Sequence, residues 1–270
     1  MHTIQHQDPE SLAKLVDKLQ ARGRYTLTRD EAIASLGITD MALTKAVQRL
    51  IAKNRLAVPR RGFYIIVPIE YRDAGAPPPD WYIRDLMAFS ERPYYVGLLS
   101  AASLHGAAHQ QPQEFQVISD GQLRSVEAGR GRIRFFKKRG MESTPVLDVK
   151  TETGLMRVST PEATALDLLR YQAAAGHIGH VASVLAELAE KMDPVRTLEA
   201  AKLDGSLPSA QRLGFLLELV GASEVSTELA AWIAECGHRY VALRPDRPSE
   251  AASKNSRWRL LINEKIEVEP

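Results

Sequence analysis

The sequence has a single cysteine, Cys236, among its 270 residues, and it has no long uninterrupted apolar run. One cysteine cannot form an internal disulfide and cannot build a cysteine-rich zinc site. No apolar stretch approaches the ~20 residues that a membrane-spanning helix needs, so we expect no membrane partner. The first residues also lack the basic-then-apolar pattern of a signal peptide. These absences predict a soluble, cytoplasmic protein. Cys236 follows Trp232 and Ile233 and has no adjacent base in sequence, so we expect a buried and inert thiol.

Catalytic motifs are also missing. The sequence contains no GxSxG, no phosphate-binding loop and no GxGxxG, and the Ser119-Asp120-Gly121 turn lacks the paired Asp-x-Asp of a nucleotidyltransferase. His105 and His109 have the spacing of two metal ligands on a helix, but the glutamate of an HExxH motif is absent. Loop or helix-capping roles are favoured for these histidines, and for His177 and His180. We therefore predict that the protein is not an enzyme and uses no cofactor and no metal.

What the sequence does contain is ordinary globular composition with an uneven distribution of charge. Apolar residues make up 44% and charged residues 25%, which is typical of a folded chain of one or two domains. Residues 1–72 carry a net charge of +5, whereas residues 73–270 carry −3. Three consecutive prolines at 77–79 favour extended backbone. The sequence thus predicts a basic domain over 1–72, a proline-rich linker over 73–80 and a larger domain over 81–270.

The pattern of the basic domain predicts three helices and a β-hairpin. Leucine and valine side chains recur at helical spacing in the first helix, and residues with capping side chains precede the second and third helices. The predicted elements are a helix over about 9–21, a strand over 25–27, a helix that begins with a capping box at Thr28 and Glu31, a helix over about 39–54, and a hairpin around Arg60-Arg61-Gly62.

The third helix carries the candidate chemistry. At about 100° per residue, its apolar side chains fall on one face, which we expect to be the core face: Leu43, Ala46, Val47, Leu50 and Ile51. The opposite face is cationic, rich in hydrogen-bond donors and free of carboxylates after Asp40. The candidate DNA-binding residues are Thr39, Met41, Thr44, Lys45, Gln48, Arg49 and Lys53 on this helix, with Arg60 and Arg61 at the hairpin tip.

The order of these elements is that of a winged helix-turn-helix. A helix fits the DNA major groove, where its outer face offers donors to base edges, and a cationic hairpin tip reaches the flanking phosphates. The alternative is that small three-helix units with a hairpin also serve in protein contacts, with a cationic face that is only solvated. The helix face and the hairpin tip together favour DNA binding.

The rest of the chain predicts a mixed α and β domain, so the fold class is α+β. Strand-like runs occur at Phe115–Ile118 and Leu155–Val158, and Thr160-Pro161-Glu162 predicts a helix start. A second basic surface is predicted on a strand and the residues after it: Arg130, Arg132, Arg134, Lys137 and Lys138. This strand either contacts phosphate or an acidic partner, or is an exposed sheet edge whose cations discourage strand pairing.

Five segments in this order resemble the AbiEi-type antitoxins. They are RRGFYIIVPIEYR, PYYVGLLSAASLHGAAHQQPQEFQVIS, STPEATALDLLRY, QRLGFLLELVG and RWRLLINEKIEVEP, and the resemblance covers nearly the full chain from about Leu12. It implies the antitoxin of a type IV toxin–antitoxin pair, which represses its own operon by binding inverted repeats of double-stranded DNA in the promoter.

The resemblance also implies a functional partner, a nucleotidyltransferase-like toxin, and leaves open whether the two proteins touch. It transfers no catalytic residue, because the antitoxin has no agreed active site. Two alternatives stay open. One is a stand-alone winged-helix regulator with a sensing or interaction domain, and the other is a protein-interaction module that does not touch DNA.

Overall fold

The computed structural model describes residues 11–107, 112–236 and 239–266. The chain forms two compact units, and each is built from several segments. The first unit comprises Met1–Pro93, Leu123–Phe135 and Val149–Met156. The second comprises Tyr94–Gln122, Phe136–Asp148 and Arg157–Pro270. A mixed α+β fold with an N-terminal winged helix-turn-helix and a larger C-terminal α/β part is confirmed.

Ten α-helices lie within the described ranges. They are α1 (Leu12–Ala21), α2 (Arg29–Leu36), α3 (Asp40–Ile51), α4 (Ile83–Phe89), α5 (Leu98–Leu104), α6 (Pro161–Arg170), α7 (Ile178–Leu188), α8 (Pro194–Asp204), α9 (Leu207–Leu219) and α10 (Thr227–Glu235). The first three form the helical part of the winged helix, and the last six belong to the second unit.

Twelve β-strands occur in the same described ranges. They are β1 (Thr26–Thr28), β2 (Leu56–Arg60), β3 (Phe63–Ile66), β4 (Tyr94–Val96), β5 (Phe115–Ser119), β6 (Val126–Ala128), β7 (Gly131–Lys137), β8 (Val146–Thr151), β9 (Gly154–Ser159), β10 (Val241–Ala242), β11 (Ser253–Asn255) and β12 (Leu260–Ile262). The strands predicted at Phe115–Ile118 and Leu155–Val158 are therefore confirmed.

The winged helix forms because its three helices each begin with a capping side chain and bury one apolar stripe. Ser11, Thr28 and Thr39 accept hydrogen bonds from the amides of Lys14, Glu31 and Ala42. The predicted reciprocal half of the Thr28 capping box is not formed, because the Glu31 carboxylate binds Arg24 instead. Strands β1, β3 and β2 form an antiparallel sheet in that order, and its inner face joins the helices in one apolar core.

The first unit extends beyond the predicted domain 1–72 because the wing sheet is covered on both faces. All four residues of β3 are buried, and Phe63 packs on Phe89 of α4 with ring centroids 5.4 Å apart. The predicted linker is part of this unit: Pro79–Trp81 form a 3₁₀ turn, and a Cβ on Gly129 would lie 2.1 Å from the carbonyl oxygen of Ala74. Segments distant in sequence thus complete the packing around the winged helix.

The second unit contains strands and, in the described ranges, six helices. Strand β4 pairs antiparallel with β5 and parallel with β9, and helices α5 to α10 contribute to one large apolar core. Helix α6 begins as predicted, with Thr160 accepting a hydrogen bond from the amide of Ala163. At the C-terminal end, β10, β12 and β11 form a small sheet. No helix in the described part of the chain is long and apolar enough to cross a membrane.

Candidate nucleic-acid interface

Helix α3 separates its core face from its outer face as the sequence predicts. Leu43, Val47 and Leu50 are buried, whereas Lys45, Gln48, Arg49 and Lys53 are exposed at or just beyond the helix. Ile51 departs from the prediction, because 40% of it remains exposed. Ile51 is the last residue of the helix, and the apolar core does not extend to the side of the helix on which Ile51 lies.

The start of α3 uses its threonines for local hydrogen bonds. The Thr39 hydroxyl oxygen accepts from the amide of Ala42 at 3.3 Å, and the Thr44 hydroxyl donates to the carbonyl oxygen of Asp40 at 2.9 Å. Met41, between them, is 70% exposed. Thr39 therefore anchors the helix, while Met41 and Thr44 remain on its accessible side as predicted.

The outer face of α3 is cationic because its one carboxylate is neutralised. The Arg29 guanidinium donates from Nε to the Asp40 carboxylate at 2.6 Å, and this hydrogen bond raises the pKa of Arg29 above its ordinary value. Within the described residues, no carboxylate forms an ion pair with Lys45 or Arg49. Anionic ligands therefore meet an uncompensated positive surface along this helix.

The wing places its two arginines in different surroundings. Arg61 is exposed in the turn between β2 and β3, and the following Gly62 has a φ of +84°, a conformation that favours glycine. Arg60 is half-buried, which corrects the prediction that both arginines lie at an open hairpin tip. Its Nη1 donates to Ser90 Oγ at 3.2 Å, and its guanidinium lies 5.7 Å from the centroid of the Phe135 ring. Burial also lowers the pKa of Arg60.

The basic strand is confirmed as an alternating strand, β7. Arg132 and Arg134 are exposed on one face, while Ile133 and Phe135 are buried on the other. Arg130 lies exposed in the turn between β6 and β7 and belongs with them to the first unit. The alternative of an exposed sheet edge is wrong for β7, because this strand has a strand neighbour on each side.

Lys138, predicted as part of the same basic surface, is buried instead. Only 4% of its side chain is exposed, and its Nζ lies 2.9 Å from Asp167 and 3.0 Å from Asp204. The Tyr95 hydroxyl donates to Asp167 at 2.8 Å. Burial raises the pKa of Asp167, and the Lys138 ammonium opposes that rise. Lys137, one residue earlier, is exposed.

The histidines in the described residues make local hydrogen bonds. His177 caps α7 by accepting from the amide of His180 at 3.1 Å, as predicted, and the His105 ring lies 2.7 Å from the carbonyl oxygen of Ser159. His109 lies outside the described residues. No group of three potential metal ligands occurs in the described part of the chain. Cys236 is exposed rather than buried, because it follows the last residue of α10 at the surface.

Sequence reasoning missed the residues that hold the wing. Ser90 and Phe135 contact Arg60 from positions 30 and 75 residues further along the chain. Their local patterns carry no sign of this contact, since serine at a helix end and phenylalanine on a strand are both common. The one available signal is the unbroken apolar run Phe63–Val67, which predicts a strand buried on both faces.

An exposed cationic helix after a helix-turn-helix, with a β-hairpin wing, defines a winged-helix DNA-binding regulator. Residues 14–67 match the family model described as a transcriptional regulator, AbiEi antitoxin. Residues 95–219 match the model of the AbiEi antitoxin C-terminal domain. The chain therefore belongs to the AbiEi-type antitoxins, and its general role is that of an antitoxin and DNA-binding transcriptional regulator.

The fold also has a solved counterpart. The crystal structure of the RV2827C protein from Mycobacterium tuberculosis aligns with a TM-score of 0.65 over 94% of this chain and 92% of that chain, at 15% sequence identity. At this identity the likeness concerns the fold. A search among curated protein sequences finds no significant match.

Proposed function

We propose that this chain represses its own toxin–antitoxin operon by binding inverted repeats of double-stranded DNA in the promoter, in the cytoplasm. The observation that carries the proposal is the outer face of α3, where Lys45, Gln48 and Arg49 are exposed. The nearby Asp40 carboxylate pairs with Arg29, so it does not neutralise Lys45 or Arg49. The membership in a family of transcriptional regulators supports the same activity.

In the proposed complex, α3 lies in the major groove. Gln48 and Arg49 supply the side chains that read adenine and guanine edges best, because each can make two parallel hydrogen bonds to one base. Lys45 and Lys53 contact flanking phosphates, and Thr39, Met41 and Thr44 pack at the end of the helix that enters the groove. Arg61 reaches a phosphate from the wing.

The exposed arginines of β7 and its preceding turn supply a second set of phosphate contacts. Arg130, Arg132 and Arg134 belong to the same compact unit as α3 and the wing, and their positive side chains suit an extended stretch of DNA backbone. Lys137 is also exposed and belongs to the second unit. Lys138 has no part in this surface, since two buried aspartates surround its ammonium.

The antitoxin function is proposed to act on a nucleotidyltransferase-like toxin encoded beside this chain. The match of residues 95–219 to the antitoxin C-terminal family supports placing this role in the larger predicted domain. Co-expression of the full chain with the adjacent gene product tests it: survival of cells that the neighbour alone kills is the expected result. A harmless neighbour would favour the stand-alone regulator.

Fluorescence anisotropy with the chain's own promoter tests DNA binding. We expect tight binding to the intact repeats and weaker, salt-sensitive binding to a duplex of the same composition with the repeats scrambled. The matched protein variants are Arg49→Ala, on the outer face, and Glu199→Ala, in the second unit. A promoter fusion to a reporter gene then separates binding from repression, because only a repressor lowers reporter output.

A further inference from the structure

The two strands of the wing change their register by one residue between Ala57 and Arg60. The extra residue lies in the Val58-Pro59 segment of β2, where proline is tolerated because a bulge leaves one amide out of the ladder. Residues paired across an antiparallel sheet lie on the same face, so Arg60 shares the face of Phe63. Without the bulge, Arg60 would lie on the opposite face, with Leu56 in the helical core.

This face of the wing is where the remainder of the first unit packs. The Arg60 guanidinium donates to Ser90 Oγ, and the Ser90 hydroxyl in turn donates to the carbonyl oxygen of Leu86 at 2.7 Å. The Phe135 ring lies below the same guanidinium, in the geometry of a cation–π contact. Arg60 therefore ties the outer end of β2 to α4 and to β7 at once.

We propose that Arg60 is a positioning residue, which fixes the angle of the wing so that, of the two wing arginines, Arg61 alone contacts a phosphate. The proposal rests on the DNA-binding function proposed above. A guanidinium held by Ser90 and Phe135 would have to abandon both contacts to reach a phosphate, whereas Arg61 is already exposed in the turn.

The physical effect of this tie is preorganisation. Strand β2 lies at the edge of the three-stranded sheet, and the turn after it would lose conformational freedom when DNA orders it. Arg60 removes that freedom before binding, so its contribution to affinity does not depend on displaced counterions. A phosphate contact by Arg61 does depend on them, and the two roles differ in their response to salt.

The test measures the promoter affinity of full-length protein as a function of salt for Arg60→Ala, Arg60→Gln and Arg61→Ala. We expect Arg61→Ala to reduce the slope of log affinity against log salt by about 0.9. Arg60→Ala should keep the wild-type slope and weaken binding roughly 3- to 10-fold. Arg60→Gln, which keeps donors for Ser90 without the charge, should recover part of that loss.

Amide hydrogen exchange of the free protein provides a readout without DNA. We expect exchange at residues 61–64 to become roughly tenfold faster in Arg60→Ala and to stay unchanged in Arg61→Ala. All measurements are made under solution conditions in which circular dichroism shows that each variant is folded. If Arg60→Ala does not fold, Ser90→Ala removes one contact only and should give the same pattern at smaller amplitude.

Two results would overturn the proposal: an Arg60→Ala slope reduced as much as that of Arg61→Ala, or wild-type affinity and exchange in Arg60→Ala. Failure of the wild-type protein to bind its promoter would instead refute the proposed DNA-binding function. In that case the exchange measurement still decides whether Arg60 holds the wing.

Discussion

Helix α3 and the end of strand β7 both display basic residues in short runs, but they use them in opposite ways. Lys45 and Arg49 are exposed on α3, whereas Lys138 lies buried between two aspartates. The difference comes from the surroundings, since a lysine on a solvated helix face keeps its hydration and a buried lysine needs carboxylates to replace it. Four sets of substitutions test this difference between exposed and buried positions, and they follow from the largest expected effect to the smallest.

The largest effect is expected for Lys138→Met. The substitution leaves Asp167 and Asp204 buried without their shared cation, and we expect a loss of about 3–5 kcal/mol in the free energy of unfolding at neutral pH. Urea denaturation followed by circular dichroism measures it. The matched control is Lys137→Met, which alters an exposed neighbour and should stay within about 0.5 kcal/mol of wild type.

The pH dependence of the stability of Lys138→Met tests whether the unpaired buried carboxylates cause the loss. Burial raises the pKa of Asp167 in the folded protein, and removing the opposing ammonium raises it further. A folded-state pKa above the unfolded value favours the protonated folded protein, so the variant should regain stability as the pH falls toward that pKa. A deficit that stays constant between neutral and mildly acidic pH would mean that lost packing is the cause.

The next effect is expected for Arg49→Ala, which should leave stability unchanged. If Arg49 reads a base, its loss should cost about 1–3 kcal/mol of operator affinity and relax the sequence preference at one position. Anisotropy titrations against a set of single-base operator variants measure both quantities. Wild-type affinity and preference in a folded variant would remove this face of α3 from the interface.

The paired change Arg132→Ala and Arg134→Ala tests the basic strand. As phosphate contacts, the two arginines should together reduce the salt slope by about 1.8 and weaken specific and nonspecific binding equally. A slope within error of wild type would mean that this face of β7 is only solvated. Stability should change little, because both side chains are exposed.

The smallest effect is expected for Ile51→Ala. Since 40% of Ile51 is exposed, its truncation should lower the free energy of unfolding far less than Leu50→Ala, for which about 2–5 kcal/mol is expected. Thermal denaturation of the two variants side by side checks the boundary of the α3 core. Equal losses would place Ile51 inside it.

Local sequence patterns were sufficient to predict the helices of the winged helix and the exposed face of α3. Thr28 and Thr39 cap helices where the sequence predicts, because capping depends on residues only three positions apart. The environments of Arg60 and Lys138 could not be predicted in the same way. A one-residue bulge decides the face of Arg60, and the aspartates that bury Lys138 belong to helices far along the chain.

The boundary of the first unit also depends on contacts between residues that are far apart in the sequence. Three prolines suggested an extended linker, but proline at 79 starts a 3₁₀ turn whose neighbours pack in the first unit. A fragment limited to residues 1–72 would expose Phe63, which packs on Phe89 in the full chain. We expect the stability of such a fragment to be marginal.

Because the first unit is discontinuous in sequence, the ribosome synthesises its segments at different times. Its last segment, Val149–Met156, leaves the ribosome well after Pro93, and at about 5–20 residues per second the delay is roughly 3–13 s. During this interval the nascent first unit lacks its later segments, including Phe135, which contacts Arg60 of the wing. Slow codons or chaperone depletion in this window should therefore reduce the yield of soluble protein more than the same perturbation applied after residue 156.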